Sequence, residues 1–351
     1  MTEMVDLRHL TSAQLAHFMG ELDFPESAAR RVFSALQRTG VTDFAQMTMV
    51  NKVIRSALAE KSVISSLVPL ALEQSGDGTR KFVFRLADGA VIESVLIPER
   101  NRHTLCISSQ CGCAMGCGFC LTGRMGFIRN LSAAEIVNQV LAVIAQMVSS
   151  GIKRATPREY VTNLVFMGMG EPLANYDNLL TTLRILMDEA GLGFSERRVT
   201  VSTCGLAPRI NDLGRDVRVN LAVSLHAADD YTRSRLMPVN RRYDLDELLA
   251  ACRSWSLLKK RVVLFEYILI RGINDGEKDA LLLAEKLHDI PCRINLLPYN
   301  ESDSLSYARP DDGTVLRFSR ILRAAGYTTI VRSSRGADIS AACGQLASLV
   351  G

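Results

Sequence analysis

The sequence predicts an α/β protein built on a parallel, partial (βα)6 barrel, with a small N-terminal helical accessory domain and a β-hairpin linker. Three observations support this fold. Strand-like and helix-like runs alternate from about residue 100 onward, apolar residues recur at a helical period over 11–73, and two strand-like runs flank Asp88-Gly89. The 351 residues are 48% hydrophobic and 22% charged, which suits one barrel-sized domain plus an accessory domain.

The barrel prediction depends on six strand–helix units in succession. The candidate strands cover residues 104–109, 162–168, 198–203, 219–225, 261–269, 293–298 and 328–333. The candidate helices cover residues 132–150, 175–190, 206–214, 244–257, 276–289 and 312–325. Such alternation is typical of a parallel sheet. Because chemistry in barrels collects at the C-terminal ends of the strands, we expect functional side chains there.

The part of the chain before the barrel divides at changes of pattern. Residues 81–86 and 91–97 alternate as strands, and the Asp88-Gly89 turn between them predicts a hairpin. The charged run Glu99-Arg100-Asn101-Arg102 marks the next boundary. We therefore expect a helical accessory domain (1–75), a hairpin linker (76–100) and a barrel with a C-terminal loop (101–351).

Charge and hydropathy limit the class of protein. The net charge is +4, and residues 1–75 hold 7 Lys+Arg against 8 Asp+Glu, so the positive excess belongs to the rest of the chain. The longest uncharged helical stretch, 136–152, is short for a membrane span and contains polar residues. The N-terminus does not resemble a signal peptide. We expect a soluble, cytoplasmic monomer without membrane contact.

The cysteines indicate a metal or redox site. Nine cysteines are an odd number, which argues against a disulfide scaffold, and five of them fall between Cys106 and Cys120. The spacing Cys113-x3-Cys117-x2-Cys120 follows the first barrel strand and offers three thiolates. A [4Fe–4S] cluster held by three thiolates keeps one open iron, which can bind a cofactor. The alternative is a structural zinc loop that also recruits Cys111.

Four further stretches, together with the cysteine spacing, carry a resemblance to a known family. Beside the cysteine spacing stand the motifs Cys106-Ile-Ser-Ser-Gln110, Phe166-Met-Gly-Met-Gly-Glu-Pro172, Ser224-Leu-His226 and Ala341-Ala-Cys-Gly-Gln-Leu346. Together they resemble the RlmN/Cfr family of radical S-adenosylmethionine (SAM) RNA methyltransferases, over nearly the whole chain. The resemblance implies a barrel of the radical SAM type, a [4Fe–4S] cluster on Cys113, Cys117 and Cys120, and SAM on the open iron.

The resemblance also assigns three catalytic residues. It makes Cys343 the carrier of a methyl group, Cys106 the cysteine that resolves a covalent intermediate through a transient disulfide with Cys343, and Glu93 the proton acceptor. Taken alone, Cys106 could be a small buried residue, while Cys343 in a late loop suits an accessible thiol. Glu93 shares a strand face with aliphatic residues, so a catalytic carboxylate and a solvated face both remain open.

The SAM site implied by the resemblance lies at the strand ends, as the barrel rule predicts. Its residues are Gly170, Glu171, Ser202, Ser224, Leu225, His226 and Asn300. The remaining cysteines outside the cluster and the catalytic pair are expected in the core. They are Cys204, Cys252 and Cys292.

The implied reaction is methylation of C2 of a specific adenine in 23S rRNA and of the adenine 3′ to the anticodon in some tRNAs. Two SAM molecules serve each turnover, one as methyl donor and one as radical source, and an electron donor such as flavodoxin with its reductase is required. The target base must leave its stack to react. The helices of the accessory domain resemble an RNA-binding module.

Two arginine groups are candidate phosphate contacts, although charged runs are commonly solvated faces. The first group is Arg233, Arg235, Arg241 and Arg242. The second group is Arg317, Arg320, Arg323, Arg332 and Arg335.

Three alternatives remain open at this point. A Cfr-type enzyme methylates adenine C8 and confers ribosomal antibiotic resistance. The motifs Ser-Gln-Cys111-Gly-Cys113 and Leu236-Met-Pro-Val-Asn240 occur in that type as well, whereas Arg335-Gly-Ala-Asp338 and Gly170-Glu-Pro172 lean toward C2. A radical SAM enzyme that activates a partner protein would share the cluster but would not need the Cys106 and Cys343 pair. A zinc RNA-binding module is the third class.

Overall fold

A long mixed sheet organises the protein in the structure, a computed structural model that describes residues 4–302 and 304–346. The strands are β1 (Val5–Asp6), β2 (Ser62–Val63), β3 (Pro69–Gln74), β4 (Arg80–Arg85), β5 (Val91–Glu99), β6 (Arg102–Cys106), β7 (Gln110–Gly112), β8 (Phe127–Asn130), β9 (Asn163–Phe166), β10 (Val199–Thr203), β11 (Asn220–Ser224), β12 (Val263–Leu269), β13 (Cys292–Pro298) and β14 (Thr328–Val331).

Helices cover the outer face of this sheet and form the N-terminal part. They are α1 (Ser12–Gly20), α2 (Glu26–Gln37), α3 (Lys52–Lys61), α4 (Leu121–Arg124), α5 (Ala133–Ser149), α6 (Tyr176–Met187), α7 (Ala207–Asp216), α8 (Asp230–Leu236), α9 (Leu245–Lys259), α10 (Glu277–Lys286) and α11 (Asp312–Ala324). Short 3-10 turns lie between them.

The sheet has the order β14-β13-β12-β11-β10-β9-β6-β5-β4-β3. Its part from β6 to β14 is parallel throughout, with the longest register between β12 and β13, from Val263 opposite Cys292 to Leu269 opposite Pro298. The helix-bearing crossovers that parallel strands require are α5, α6, α7, α9, α10 and α11. The predicted α/β fold with a parallel sheet is confirmed.

Burial along the strands separates an outer face that packs on the helices from an inner face. In β10, Val199 and Val201 are fully buried, whereas Thr200 and Ser202 between them are half-buried. Such alternation puts the aliphatic side chains under the helices and the polar ones inside the barrel. The inner face is therefore the place where polar side chains collect.

Helix α5 occupies most of the apolar stretch considered above. It begins with a capping box, in which Ser132 and Glu135 each accept a hydrogen bond from the other's backbone N–H. Ile136, Val137 and Val140 are fully buried, so the apolar side packs on the sheet. In the described ranges, every helix is too short or too polar to cross a bilayer.

Among the elements that the sequence did not predict, two bear on the candidate site. Residues 69–74, within the segment expected to be helical, form strand β3, which pairs antiparallel with β4 through Leu72 opposite Phe82. Strand β3 is an edge strand whose partner supplies its hydrogen bonds, and local periodicity does not contain that tertiary information. The second unpredicted element is the short antiparallel pair β7–β8, which brackets the cysteine motif.

The open sheet has two edges, β3 and β14, and residues 335–346, here called the C-terminal segment, span the space between them. Asp77, in the β3–β4 turn, accepts a hydrogen bond from the Gly336 N–H at 3.1 Å. Asp338 accepts one from the Gly76 N–H at 3.2 Å, and the Lys81 Nζ donates to the Ile339 carbonyl at 2.8 Å. These contacts draw the C-terminal segment over one end of the barrel.

The hairpin is confirmed, with β4 and β5 antiparallel around Asp88-Gly89 and Gly89 at a φ of 87°. It extends the barrel sheet through the pairing of β5 with β6. Residues 1–3 of the expected accessory domain and residues 303 and 347–351 of the expected barrel segment lie outside the described residues.

Candidate active site

The loop that carries the three cysteines, residues 113–120, is here called the cluster loop. It is held by backbone hydrogen bonds from Cys113 to the Gly126 carbonyl (2.8 Å) and from Gly118 to the Leu236 carbonyl (2.9 Å). Gly112 enters the loop at a φ of 70°, and a Cβ there would meet the Gly126 carbonyl oxygen at 1.9 Å. The sequence thus needs glycine where the loop leaves β7.

The cluster loop packs against an apolar patch formed by Phe119, Leu236, Met237, Ile268, Ile270, Tyr299 and Leu305. Cys117 and Cys120 contact this patch, and Cys204 belongs to it. The thiols of the loop therefore lie in surroundings of low polarity. In such surroundings the electrostatic interactions of a charged bound group are stronger than in water.

The three loop thiols lie close enough to influence one another. The pKa of Cys113 is raised to about 12, mainly by burial and to a smaller extent by the nearby Glu171 and Cys120. Burial also raises the pKa of Cys117, with Cys120 and Cys113 adding to it, and burial raises that of Cys120. Without a bound cation, this arrangement disfavours thiolates. A metal cluster supplies the positive charge that would stabilise them.

Cys111 faces away from the loop thiols, although only one residue separates it from Cys113. It is fully buried in β7, and burial raises its pKa to about 11. The charged groups that act on it are Arg129, Glu135 and Asp88, which form an ion-pair network on the other side of β7 and β8. A four-cysteine zinc site that recruits Cys111 does not fit this geometry.

The end of β9 brings backbone close to the loop before the cysteines. A Cβ on Gly168 would meet the Ile107 carbonyl at 2.7 Å, and a Cβ on Gly170, which has a φ of 95°, would meet Gln110 at 2.4 Å. The Glu171 N–H donates to the Gln110 Oε1 at 2.8 Å. The glycine motif therefore seats Glu171 beside the cluster loop.

Glu171 is buried, and burial raises the pKa of its carboxyl group. Its Oε1 accepts a hydrogen bond from the Leu173 N–H at 3.0 Å, and its Oε2 accepts one from the Cys204 N–H at 2.7 Å. The Thr203 hydroxyl and the Cys204 thiol also hydrogen-bond to this carboxylate. A carboxylate has about four acceptor positions, so a bound amino group would have to share or replace one of these donors.

The next strand ends place Ser202, Ser224, Leu225 and His226 together, as the barrel rule predicts. Ser224 lies opposite Glu266 on β12, and the Leu225 N–H donates to the Glu266 carbonyl at 3.0 Å. Ser202 and Ser224 are half-buried, whereas Leu225 is buried. The two hydroxyls point to the inner face by strand alternation.

His226 adopts a φ of 61°, in the left-handed region, and its ring is buried against Phe119 at 4.8 Å between ring centres. Its Nδ1 accepts a hydrogen bond from the Ile268 N–H at 3.1 Å, so the remaining proton belongs to Nε2. Burial and the Arg233 charge lower the pKa of His226 to about 3. The ring is therefore neutral at physiological pH.

Arg233 does not contact solvent, which corrects its place among the candidate phosphate contacts. The side chain is fully buried and donates to the carbonyls of Leu225 (3.0 Å) and Cys204 (2.7 Å) and to the Asn240 Oδ1 (2.7 Å). It ties together the loops that follow β10 and β11. In the sequence it looked like a member of a surface charge run, because a run of charges does not reveal which of its members folds back onto the strand ends.

The structure brings Cys106 and Cys343 together. Burial raises the pKa of Cys106, and the Cys343 thiol is close enough to raise it further. Although Cys343 is exposed, desolvation by the surrounding protein raises its pKa to about 11, with contributions from Glu266 and Cys120. Cys343 therefore lies between the cluster loop and the inner face of the sheet.

Asn300 follows β13 and holds the C-terminal segment. Its Nδ2 donates to the Cys343 carbonyl at 3.4 Å, and its Oδ1 accepts a hydrogen bond from the Ser334 hydroxyl. The Gly344 carbonyl accepts from the Leu121 N–H at 2.8 Å, which connects the segment to the end of the cluster loop. The expected SAM contact of Asn300 thus coexists with a role in placing Cys343.

Glu93 is buried on β5, on the same face as Cys106. Val95, two residues along β5, lies opposite Cys106 on one side and opposite Lys81 on the other. The Glu93 Oε1 is 3.7 Å from the Lys81 Nζ. Of the two readings left open above, the structure therefore excludes the solvated face.

Several polar residues of the site escaped sequence reasoning. Ser108 donates to the Glu93 carbonyl at 2.6 Å and accepts from the Met169 N–H at 2.8 Å, so it joins β5 to the glycine motif. Glu266 is buried, and burial raises its pKa to about 7 although Asn295 and Arg332 oppose the shift. Its position between Leu264 and Ile268 is the same strand signal that singled out Glu93.

Cysteines outside the motif have different surroundings. Cys252 is a core residue of α9, and Cys292 is half-buried at the start of β13. Cys204 is buried beside the cluster loop, where burial and then Glu171 and Cys117 raise its pKa well above its ordinary value. Cys204 is therefore part of the wall of the site.

Comparisons with known proteins agree with this architecture. Residues 107–284 match the model of the radical SAM superfamily, and residues 5–64 match the model of the ribosomal RNA large subunit methyltransferase N-terminal domain. A solved structure titled as a radical SAM methyltransferase from Sphaerobacter thermophilus superposes with a TM-score of 0.90, at 44% identity, over 97% of this chain and 98% of that one.

Curated relatives extend the match over the full length. A dual-specificity RNA methyltransferase RlmN of Desulfotalea psychrophila is 52% identical over 98% of this chain and 95% of its own. The protein of the same name from Geobacter sulfurreducens is 51% identical over 99% of this chain and 93% of its own. The radical SAM superfamily implies a [4Fe–4S] cluster and SAM. The chain belongs to the RlmN family of radical SAM RNA methyltransferases.

Proposed function

We propose that this protein methylates C2 of adenine in RNA, acting on a specific adenine of 23S rRNA and on the adenine 3′ to the anticodon of tRNA. The observation that carries the proposal is the position of Cys343: Asn300, which follows β13, donates to its carbonyl, and Leu121 at the end of the cluster loop donates to the carbonyl of the next residue, Gly344. The proposed methyl carrier thus lies near the proposed cluster ligands and close enough to Cys106 to influence that thiol. The names of the relatives support the dual RNA specificity.

Among the described residues no ready-made group of metal-binding side chains is present, but the chain offers the donors that the cofactors need. Cys113, Cys117 and Cys120 are free thiols on one apolar-backed loop, so they would hold three irons of a [4Fe–4S] cluster and leave the fourth open for SAM. When bound, the cluster and SAM supply the radical chemistry that removes a hydrogen from a methyl group. The residues that would contact SAM are Gly170, Glu171, Ser202, Ser224, Leu225, His226 and Asn300.

Cys343 acts as the methyl carrier. Its sulfur attacks the methyl carbon of one SAM molecule, so that a new carbon–sulfur bond forms as the methyl–sulfonium bond breaks, S-adenosylhomocysteine leaves and the thiol proton is lost. A second SAM molecule serves the radical step, which makes two per turnover. The role of the C-terminal segment is to hold this sulfur near the cluster loop, which favours hydrogen removal by proximity.

Glu93 and Cys106 complete the reaction. After the carbon on Cys343 has joined the adenine as a radical, Glu93 takes the proton from C2. The unpaired electron left on the ring must also be lost, and the iron–sulfur cluster would be its acceptor. The Cys106 sulfur then attacks the Cys343 sulfur, a disulfide forms, and the electron pair of the broken carbon–sulfur bond stays with the RNA, which is protonated and leaves. The burial of both residues on one inner face supports these paired roles.

The remaining roles belong to larger parts of the chain. Residues 1–75 would bind RNA as an accessory domain, residues 76–100 carry Glu93, and residues 101–351 form the catalytic barrel with the carrier loop. We propose a cytoplasmic monomer that receives electrons from a donor such as flavodoxin with its reductase. Exposed arginines near the strand ends, such as Arg332, suit contact with phosphates.

Reconstitution tests the proposed function. The anaerobic protein, loaded with iron, sulfide and SAM and given a reductant, is incubated with unmodified 23S rRNA and tRNA, and the nucleosides are separated by mass spectrometry. We expect 2-methyladenosine from both RNAs. A product that is only 8-methyladenosine would support the Cfr-type alternative. The absence of both methylated nucleosides would refute RNA methylation.

A further inference from the structure

Lys81 is a buried cation that the reaction described above does not use. It is the second residue of β4, with 7% of its surface exposed, opposite Val95 on β5 and Glu73 on β3. A buried ammonium group is costly unless it is paired and hydrogen-bonded. The partners of this side chain therefore indicate what keeps it there.

Three acceptors surround the Lys81 Nζ, which has three N–H donors. The Nζ donates to the Ile339 carbonyl oxygen at 2.8 Å, and it is 3.2 Å from the Glu73 Oε1 and 3.7 Å from the Glu93 Oε1. Glu73 sits directly across the strand pair, so its contact is a local one. The Ile339 carbonyl, in contrast, comes from the C-terminal segment, 258 residues further along the chain.

These partners join two parts of the proposed site. Glu93 is the proposed proton acceptor, and Ile339 precedes the proposed methyl carrier Cys343 by four residues. Neighbouring contacts hold the same stretch, since Asp77 accepts from the Gly336 N–H and Asp338 accepts from the Gly76 N–H. Lys81 is the member of this set that also reaches the catalytic carboxylate.

We propose that Lys81 is a positioning residue. It fixes the position of the Glu93 carboxylate relative to the C-terminal segment, which bears Cys343. This inference rests on the proposed function. The ammonium group acts through its neighbours rather than on the substrate. When Glu93 accepts a proton, the hydrogen bond from Lys81 to the Ile339 carbonyl persists, so Lys81 keeps its position through the reaction.

The test compares Lys81→Met, which removes the ammonium group at similar length, with Lys81→Arg, which keeps a charged donor. Glu73→Gln is the matched control, because it removes the outer carboxylate and leaves the contacts to Glu93 and Ile339. Hydrogen exchange of the anaerobic holoenzyme, followed by mass spectrometry of peptides, reports on residues 335–343 and, for reference, on α5.

We expect Lys81→Met to exchange at least about tenfold faster in residues 335–343 and at an unchanged rate in α5. Turnover should fall about tenfold or more while the KM for RNA stays within about twofold, because the carrier and the base lose their register rather than their RNA contacts. Lys81→Arg should restore part of both properties. Glu73→Gln should resemble the unmodified protein.

Unchanged exchange in Lys81→Met would overturn the inference. So would a uniform rise of exchange across the barrel, or a rise in the KM for RNA at unchanged turnover. If Lys81→Met does not fold, Lys81→Gln repeats the comparison with a neutral donor, and a failure of both to fold would make Lys81 a structural residue and refute the proposal. The exchange measurement needs no product, so a failure of the proposed function is recognised separately, by an inactive unmodified protein.

Discussion

The cluster loop and the C-terminal segment reach the same end of the barrel by different means. The cluster loop is a short continuous stretch, fixed where it leaves β7 by Gly112 and its contact with Gly126. The C-terminal segment depends on remote partners, namely the β3–β4 turn on one side and Asn300 on the other. The conformation of the cluster loop is determined by residues close together in sequence, whereas the placement of the C-terminal segment depends on contacts that form only in the folded protein.

This difference teaches that the two regions should fail in different ways. We expect changes in the cluster loop to remove a proposed ligand and with it a cofactor. We expect changes around the C-terminal segment to leave the cofactor in place and to alter where the proposed methyl carrier lies. The predictions below use this contrast, in order of decreasing effect.

The largest effect is expected from the loss of a loop thiol. Cys117→Ala should lower iron content and reduce RNA methylation by about a thousandfold or more, because three thiolates are the minimum that the cluster requires. Iron analysis and the visible absorption of anaerobic protein provide the measurement. Cys111→Ala is the matched control, since this thiol faces Arg129 and Glu135. Equal iron loss in both variants would contradict the distinction between the two cysteines.

Removal of the carrier thiol should separate the two regions. Cys343→Ala should lower RNA methylation about a thousandfold or more while iron content and reductive cleavage of SAM persist, because the transfer has lost its covalent carrier. Deoxyadenosine release and methylated nucleosides are measured in the same reaction. Cys292→Ala, a half-buried thiol on β13, is the control and should methylate normally. Methylation by Cys343→Ala would exclude the carrier role.

A weaker effect is expected from loosening the segment at its outer anchor. Although burial opposes the shift, hydrogen bonds from Thr79, Gly336 and Ser75 lower the pKa of Asp77 to about 2, so this carboxylate stays charged at neutral pH. Asp77→Asn should slow single-turnover methylation about three- to tenfold without loss of iron.

The control for this change lies in the neighbouring turn. Asp88 pairs with Arg129 and does not belong to the anchor, so Asp88→Asn should leave the methylation rate unchanged. A slower methylation rate in Asp88→Asn but not in Asp77→Asn would contradict the assignment of the anchor to the β3–β4 turn. The stability that the ionised Asp77 contributes is present above pH 3.8 and is lost only as the pH falls through about 2, so its effect should be constant near neutrality.

The smallest effect concerns Glu266, which influences Cys343 from the inner face. Burial raises the pKa of Glu266 from 4.5 to about 7, so the folded state binds its proton more tightly than the unfolded state. The free energy of unfolding should therefore decrease as the pH rises from about 4.5 through 7. Glu266→Gln should remove this decrease and be more stable at pH 8 by about 1–3 kcal/mol.

Denaturant unfolding at pH 5 and pH 8 measures the difference. The two proteins should be similar at pH 5, because Glu266 is then protonated and resembles glutamine. A Glu266→Gln variant that is less stable at pH 8 than the unmodified protein would show that the ionised carboxylate stabilises the fold, contrary to the sign expected.

Sequence reasoning found the parts of the site whose information is local. The cysteine spacing, the glycines after β9 and the residues at the ends of β10 and β11 are visible in short stretches, and the barrel rule places them at one end. The proximity of Cys106 and Cys343 was expected from the resemblance alone. It depends on contacts of the C-terminal segment that no local pattern contains.

Residues whose role depends on remote partners were missed or misread. Arg233 stood in a run of charges, but four backbone and side-chain acceptors surround it in the fold, and the farthest of them along the chain belongs to Cys204. Lys81 looked like an ordinary strand lysine, because its partner Ile339 lies at the other end of the chain. Strand β3 was read as helix because its own periodicity does not reveal the pairing with β4, which decides its conformation.

The most direct test of the account follows the methyl group through Cys343. The protein is first incubated with SAM carrying a ¹³C-labelled methyl group, freed of unbound SAM, and then given unlabelled SAM, reductant and RNA for a single turnover. The account predicts that ¹³C leaves the peptide containing Cys343 and appears in 2-methyladenosine. An unlabelled first product, with ¹³C retained on the protein, would contradict the claim that Cys343 carries the methyl group to the RNA.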